Sequence, residues 1–389
     1  VNLTKSKYPI HMKEKITQEF ADRFGGEGTL YVSPGRFNLI GEHTDYNGGF
    51  VFPGAIDKFI MADIRPNGLD VVRVYSIDID EETAFGLNEE DAPKQSWARY
   101  IFGVCREIIK RGGVVKGFDA VFAGNVPLGA GLSSSAALES CFAFALNDMF
   151  NDNTIDKFEL ARIGQSTEHN YCGVNCGIMD QFASVMGQKG KLMRLDCRSM
   201  EFEYFPFAPK DYELVLVDSR VKHELADSPY NKRRQSCERV AKRLGIETLR
   251  DATMEMLNSV KTDITAEDYF RAKFVIEEKD RVLAVCDALM KDDYETVGKK
   301  MYETHEGLSK DYEVSCEELD YLNEVAKECG VTGSRIMGGG FGGCTVNLVK
   351  KDLVEPFIAT VKEKFNAKYG HEPRIYPVIV SDGSRRYEE

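Results

Sequence analysis

Gly35-Arg36-Phe37-Asn38-Leu39-Ile40-Gly41-Glu42-His43-Thr44-Asp45 sets an arginine, two carboxylates and an imidazole on a glycine-bounded segment that follows an apolar run. Apolar cores do not require that density of charge. Burying such groups without partners costs roughly 2–7 kcal/mol each. Glu42, His43 and Asp45 offer acceptors and a switchable donor at close quarters, which suits a ligand covered in hydroxyl groups. A charged surface turn with Arg36 in an ion pair is the plainer alternative. The segment reads as a ligand site.

Moving outward, Phe118 to Ala123 is strand-like and runs into Gly124-Asn125-Val126-Pro127-Leu128. Then comes Gly129-Ala130-Gly131-Leu132-Ser133-Ser134-Ser135-Ala136. Leu138, Cys141, Phe142, Ala145, Leu146 and Met149 follow at helical spacing. Glycines let a backbone approach an anion, and the helix start offers free N–H groups and its positive dipole end. Three hydroxyls add donors, and one can also coordinate magnesium. No Gly-Lys-Ser/Thr occurs, so phosphate is implied without the common P-loop fold. A lone serine cap would explain less of this stretch.

Glu168 and Asp180 flank a turn over residues 170–177. Asp180 opens an otherwise apolar helix, where it either complements the dipole or serves phosphoryl transfer beside Arg36 and a phosphate loop. Gly338-Gly339-Gly340-Phe341-Gly342-Gly343 matches G-x-G-x-x-G only formally, because the strand-forming Cys344–Val349 follows where a dinucleotide site needs a helix. A tight turn packing over the phosphate-bearing helix fits better, and a structural hairpin is the alternative. His169, Cys172 and Cys176 lack the paired spacings of a zinc site. Arg233, Arg234, Arg239, Lys242 and Arg243 read as a solvated helix face. Tyr230, one of seventeen tyrosines, is unremarkable alone. Trp97, the single tryptophan, reads as core.

A chain of 389 residues fits two domains, with 43% apolar and 29% charged residues in the range of a globular protein. The net charge of −13 argues against nucleic acid or an anionic membrane as partner. ATP would need a local positive site. Ten scattered cysteines read as reduced thiols of a cytoplasmic enzyme. Val1 to Lys15 is polar and lysine-dotted, without a secretory core. The longest uncharged stretch, Ala120 to Leu138, is broken by Pro127, glycines and serines, so no bilayer span is expected. A monomer is favoured.

Strands are expected at 30–33, 50–55, 59–65 and 71–77, with turns at Pro34-Gly35, residues 47–49 and residues 66–68. Residues 78–91 read as a solvated acidic connection, residues 97–110 as a helix. Helices are also expected at 154–170 and 179–186. A buried strand at 214–217 and long helices between 231 and 329 follow. Strands at 334–337, 344–349 and 374–380 close the chain, with a helix before the last. Strands and helices come in groups rather than alternating, which indicates α+β. A boundary near residue 205 divides 1–205 from 206–389.

The first segment, continued through Tyr46-Asn47-Gly48-Gly49, resembles the signature of galactokinases, a branch of the GHMP family of small-molecule kinases. Residues 127–140 and 338–343 support the resemblance, which spans essentially the whole chain. It implies a two-domain GHMP architecture: a ribosomal protein S5 domain 2-like N-terminal domain and a ferredoxin-like C-terminal domain, with the site between them. It also implies ATP-dependent phosphorylation of the anomeric hydroxyl of galactose, with Mg2+. Asp180 would accept or orient the hydroxyl proton, and Arg36 would stabilise the moving phosphoryl group. Glu42, His43, Thr44, Asp45, Gly177 and Tyr230 would meet the sugar. Gly129, Ala130, Gly131, Leu132, Ser133, Ser134 and Ser135 would surround the phosphates, with Ser135 and Glu168 on magnesium. Ser76 and Trp97 would lie near adenosine. Phe37 departs from the family's usual β-branched aliphatic, which bears on packing around Arg36. The competing expectations are a catalytically silent galactose sensor and a GHMP kinase for a related sugar such as N-acetylgalactosamine.

Overall fold

The computed structural model describes residues 8–221 and 229–388, so the reading of Val1 to Lys15 falls partly outside them. Helix α1 (Tyr8–Phe24) was not anticipated. Its narrow stripe of Met12, Ile16 and Phe20, spaced four apart among lysines, is buried against Met61, Tyr75, Val121 and Ala123.

Strand β1 (Thr29–Asn38) runs straight through Pro34-Gly35, where a turn was expected. The register against its neighbour shifts between Pro34 and Arg36, so the chain accommodates the pair as a bulge. Glycine is required there because a Cβ at 35 would stand 2.5 Å from the Leu132 carbonyl oxygen. The bulge brings Arg36 N–H to that same carbonyl at 3.2 Å. Phe37 is fully buried, and Gly54 gives it room: a Cβ there would lie 2.9 Å from its ring.

After β2 (Phe50–Val51), the two strands expected between 50 and 65 form mainly one, β3 (Pro53–Pro66). Strand β4 (Val71–Ser76) is as expected, but the acidic connection contains β5 (Glu81–Gly86). Thr83 and Phe85 point inward while Glu81, Glu82 and Ala84 stay exposed, the period-two pattern of an edge strand guarded by charge. Helix α2 (Ser96–Lys110) and β6 (Phe118–Gly124) follow, and β6 leads to α3 (Ser134–Phe150), α4 (Lys157–Thr167) and α5 (Met179–Met186). Two further strands, β7 (Lys191–Asp196) and β8 (Phe202–Pro206), were not foreseen.

The remainder comprises β9 (Tyr212–Asp218), α6 (Pro229–Leu244), α7 (Met254–Ser259), α8 (Ala266–Leu289), α9 (Tyr294–Glu306) and α10 (Glu317–Glu328). Strands β10 (Gly333–Ile336) and β11 (Cys344–Lys350), helix α11 (Val354–Tyr369), β12 (Arg374–Val378) and β13 (Arg385–Arg386) complete it. Among the described residues the strands form three sheets, ordered β13-β1-β3-β6-β4-β5, β10-β11-β9-β12 and β2-β7-β8. The second is antiparallel throughout, with Phe357, Val361 and Phe365 of α11 and Leu322 and Val325 of α10 packed on Val215 and Val217. Strand β13 pairs with β1, so the last residues return to the first sheet. Helix α3 lies on that sheet with Phe142 against Phe118 and Phe122. Each such buried ring contributes about 1.5–3 kcal/mol by leaving water.

Candidate active site

Asp180 stands in the first turn of α5, and both its oxygens are engaged. Arg36 Nε donates to Oδ1 at 2.8 Å and the Ser133 hydroxyl donates to Oδ2 at 2.5 Å. Arg36 Nη1 reaches the Gly131 carbonyl at 2.5 Å. A buried guanidinium from β1, a carboxylate from α5 and the loop before α3 therefore meet at one point. Asp180 keeps 30% of its side chain exposed, so the cluster opens to solvent.

The loop is bent by Gly129 (φ 73°) and Gly131 (φ 75°), and Ser133 takes φ 60°, a strained value for a non-glycine residue. Ser133 occupies the helix cap without making a side-chain capping bond; its hydroxyl serves Asp180 instead. The first backbone N–H groups of α3 thus remain available for an anion. Ala130 and Leu132 are buried beneath the loop, while Gly129 is exposed and Ser134 partly so.

Ser135 Oγ donates to Glu168 Oε1 at 3.0 Å. Glu168 begins a π-helical turn (Glu168–Cys172) that follows α4, a distortion common at functional sites. Burial, reinforced by Asp180, raises its carboxyl above the ordinary range. Gln181, next to Asp180, donates from Nε2 to Glu139 at 3.0 Å and to Glu168 at 3.3 Å. Glu139 is fully buried, its Oε1 has no hydrogen-bond partner, and burial followed by the Glu168 charge pushes its carboxyl well above the ordinary range. Glu168 and Glu139 are thus joined through Gln181, next in sequence to the Asp180 that pairs with Arg36. Ser135 Oγ and the Glu168 carboxylate are hard oxygen donors, a set that fits a magnesium ion taking its other ligands from nucleotide phosphates and water. Among the described residues no group of three His, Cys, Asp or Glu side chains could hold a metal by itself.

Glu42 Oε1 accepts from Arg335 Nη2 at 2.5 Å and from Gly338 N–H at 2.9 Å. Arg335 is wholly buried on β10 and also donates to the Asn38 carbonyl at 2.8 Å. His43, at φ 59°, lies within hydrogen-bond distance of the Tyr46 hydroxyl (Nδ1, 2.8 Å) and the Gly339 carbonyl (Nε2, 3.2 Å). Because a carbonyl only accepts, Nε2 carries the proton and Tyr46 donates to Nδ1. Burial lowers His43 to about 3, so it stays neutral. Thr44 directs its hydroxyl to the Phe50 and Gly41 carbonyls. Burial, together with the Glu42 and Asp180 charges, lifts Asp45 to about 6. Gly177 lies so close to Asp45 that a Cβ would collide with its carboxylate. Tyr230 sits against His43 and Tyr46, ring centroids 5.4 and 5.5 Å away.

The glycine turn 338–343 leads into a strand, and packs on the loop before α3: a Cβ at Gly343 would be 3.8 Å from Ala130 O. Ser76 and Trp97 lie apart from this cluster. Ser76 is buried beside Phe122 with its hydroxyl unpartnered, and Trp97 packs on Phe122 while its Nε1 donates to Glu81 at 2.8 Å. Arg233 departs from the expected solvated face: it is buried and donates to the Tyr312 and Glu313 carbonyls. Arg335 and Tyr312 carried no sequence signal; Glu139, Gln181 and Tyr46, in or adjoining named motifs, could have been picked out.

Three family models match: the galactokinase galactose-binding signature over residues 18–66, the GHMP kinases N-terminal domain over 99–188 and the GHMP kinases C-terminal region over 286–367. The fold and these matches thus define a GHMP-class kinase. A galactokinase of Thermosipho africanus is 40% identical over 90% of this chain and 97% of its own length. One from Fusobacterium nucleatum is 40% identical over 96% and 99%. The chain belongs to the galactokinase family. The structure of Lactococcus lactis galactokinase complexed with galactose is similar at a TM-score of 0.90, with 33% identity over 95% of this chain and 98% of that one. Methanococcus jannaschii mevalonate kinase, 18% identical over 92% of this chain and 99% of that one at a TM-score of 0.65, shares the fold.

Proposed function

We propose that this chain transfers the terminal phosphoryl group of ATP to the anomeric hydroxyl of galactose, yielding galactose 1-phosphate and ADP. The observation that carries the reading is the bridge from Arg36 to both Asp180 and the phosphate loop. Galactose would lie on Glu42, His43, Asp45, Gly177 and Tyr230, with Thr44 bracing the segment through its backbone contacts. The phosphates of ATP would meet residues 129–135, and its adenosine end Ser76 and Trp97.

The sugar oxygen attacks phosphorus, the bond to the ADP oxygen breaks, and the hydroxyl proton passes to Asp180 or is oriented by it. Arg36 supplies fixed positive charge beside the moving group, where little beyond positioning and charge is required. Ser135 and Glu168 would hold magnesium, whose bound charge offsets that of the phosphates. Asp180, held through both oxygens, enters the reaction already oriented.

Epimer choice follows from pairing. A site built for an axial 4-hydroxyl leaves buried partners unpaired with glucose, at about 1–3 kcal/mol per lost contact. A coupled ADP-release assay across galactose, glucose and N-acetylgalactosamine is the test. The reading predicts kcat/KM for galactose above glucose by about tenfold or more. Preference for another sugar, or binding without ADP release, contradicts it.

A further inference from the structure

Outside the residues assigned above, Glu278 on α8 is a fully buried carboxylate with every oxygen engaged. Its Oε1 accepts the backbone N–H of Gly41 at 2.8 Å. Its Oε2 accepts from Arg281 Nε at 2.7 Å and from the Thr304 hydroxyl at 2.8 Å. The same stretch of helix bears on the sugar segment elsewhere. Phe274 packs on Tyr312 (4.9 Å), whose ring lies 4.7 Å from that of His43. Gly41 has φ 93°, and a Cβ there would lie 2.6 Å from Phe50 O and 3.0 Å from Val282 Cγ2. Helix α8 is therefore the floor beneath residues 41–43, and the Ile40–Gly41 peptide, one residue before Glu42, is held on it through its N–H.

We propose that Glu278 is a positioning residue of the sugar site, fixing the Gly41 peptide and through it the directions of Glu42 and His43. The inference rests on the galactose reading. Its charge is essential to the arrangement. A carboxamide has one acceptor and one donor end, whereas Glu278 faces a donor on one side and two on the other. However Glu278→Gln turns, its NH2 meets a donor. Thr304→Val removes one donor from the same carboxylate and leaves the Gly41 bond intact.

The test is steady-state kinetics and thermal melting of wild type, Glu278→Gln and Thr304→Val. Glu278→Gln should raise KM for galactose about tenfold while KM for ATP stays within about twofold. Thr304→Val should lower Tm and leave KM for galactose unchanged. Should Glu278→Gln fail to fold, Glu278→Asp keeps the charge but draws it back from Gly41, and the same selective rise is expected. An unchanged KM for galactose, or equal rises for both substrates, overturns the inference while wild-type turnover upholds the galactose reading. A wild type that releases no ADP with galactose overturns both.

Discussion

Asp45 should give the sugar site its pH dependence. Its carboxyl is pushed to about 6 chiefly by burial, with Glu42 and Asp180 adding repulsion. A carboxylate that accepts a sugar hydroxyl must be ionised, so KM for galactose should climb as pH falls through about 6, approaching about tenfold per unit below it. His43, held near 3, does not titrate in that window. A KM that is flat between about pH 5 and pH 8 would contradict the assignment. The same raised value sets a stability trend. The fold favours the protonated form, a contribution lost as pH rises from the ordinary 3.8 towards about 6. Asp45→Asn should accordingly melt higher than wild type at about pH 8, by an order of 1–2 kcal/mol, while binding galactose poorly.

At the scale of elements, the start of α3 separates catalysis from helix stability. A serine at a helix cap ordinarily contributes about 1 kcal/mol. Ser133 makes no such side-chain bond and instead orients Asp180. Ser133→Ala should therefore shift stability by less than about 0.5 kcal/mol yet lower kcat about tenfold or more. Loss of stability without loss of turnover, read by melting and ADP release, would reverse that assignment. This loop was legible from sequence because glycine, hydroxyl and helix periodicity occupy one contiguous stretch. Residues 97–110, 118–123 and 179–186 were legible for the same reason. Pro34-Gly35 was misread because a bulge and a turn use the same residues, and only the partner strand decides between them. Strand β5 was hidden by its exposed acids, which suit an edge strand as well as a loop. Helix α1 was hidden by a stripe one residue wide.

Over the whole molecule, what sequence could not show is who meets whom. Arg36 and Asp180 are 144 positions apart, and Glu42 and Arg335 are 293 apart. Glu42 and Asp180 lie in stretches whose charge stands out in the sequence. Glu278 and Arg335, within a helix and a strand, look like ordinary charge until the two halves of the chain are brought together. Glu42 is clamped by Arg335 and Gly338 from the C-terminal half, while the loop of residues 129–135 and Asp180 come from the N-terminal half. If this convergence performs phosphoryl transfer with Asp180 at the reacting hydroxyl, removing the Asp180 charge abolishes turnover and spares sugar binding. The direct measurement is ADP release by Asp180→Asn beside wild type, with galactose binding followed by calorimetry. Galactose binding is expected within about threefold of wild type, with kcat lower by about 100-fold or more. A variant that keeps most of its kcat would contradict it.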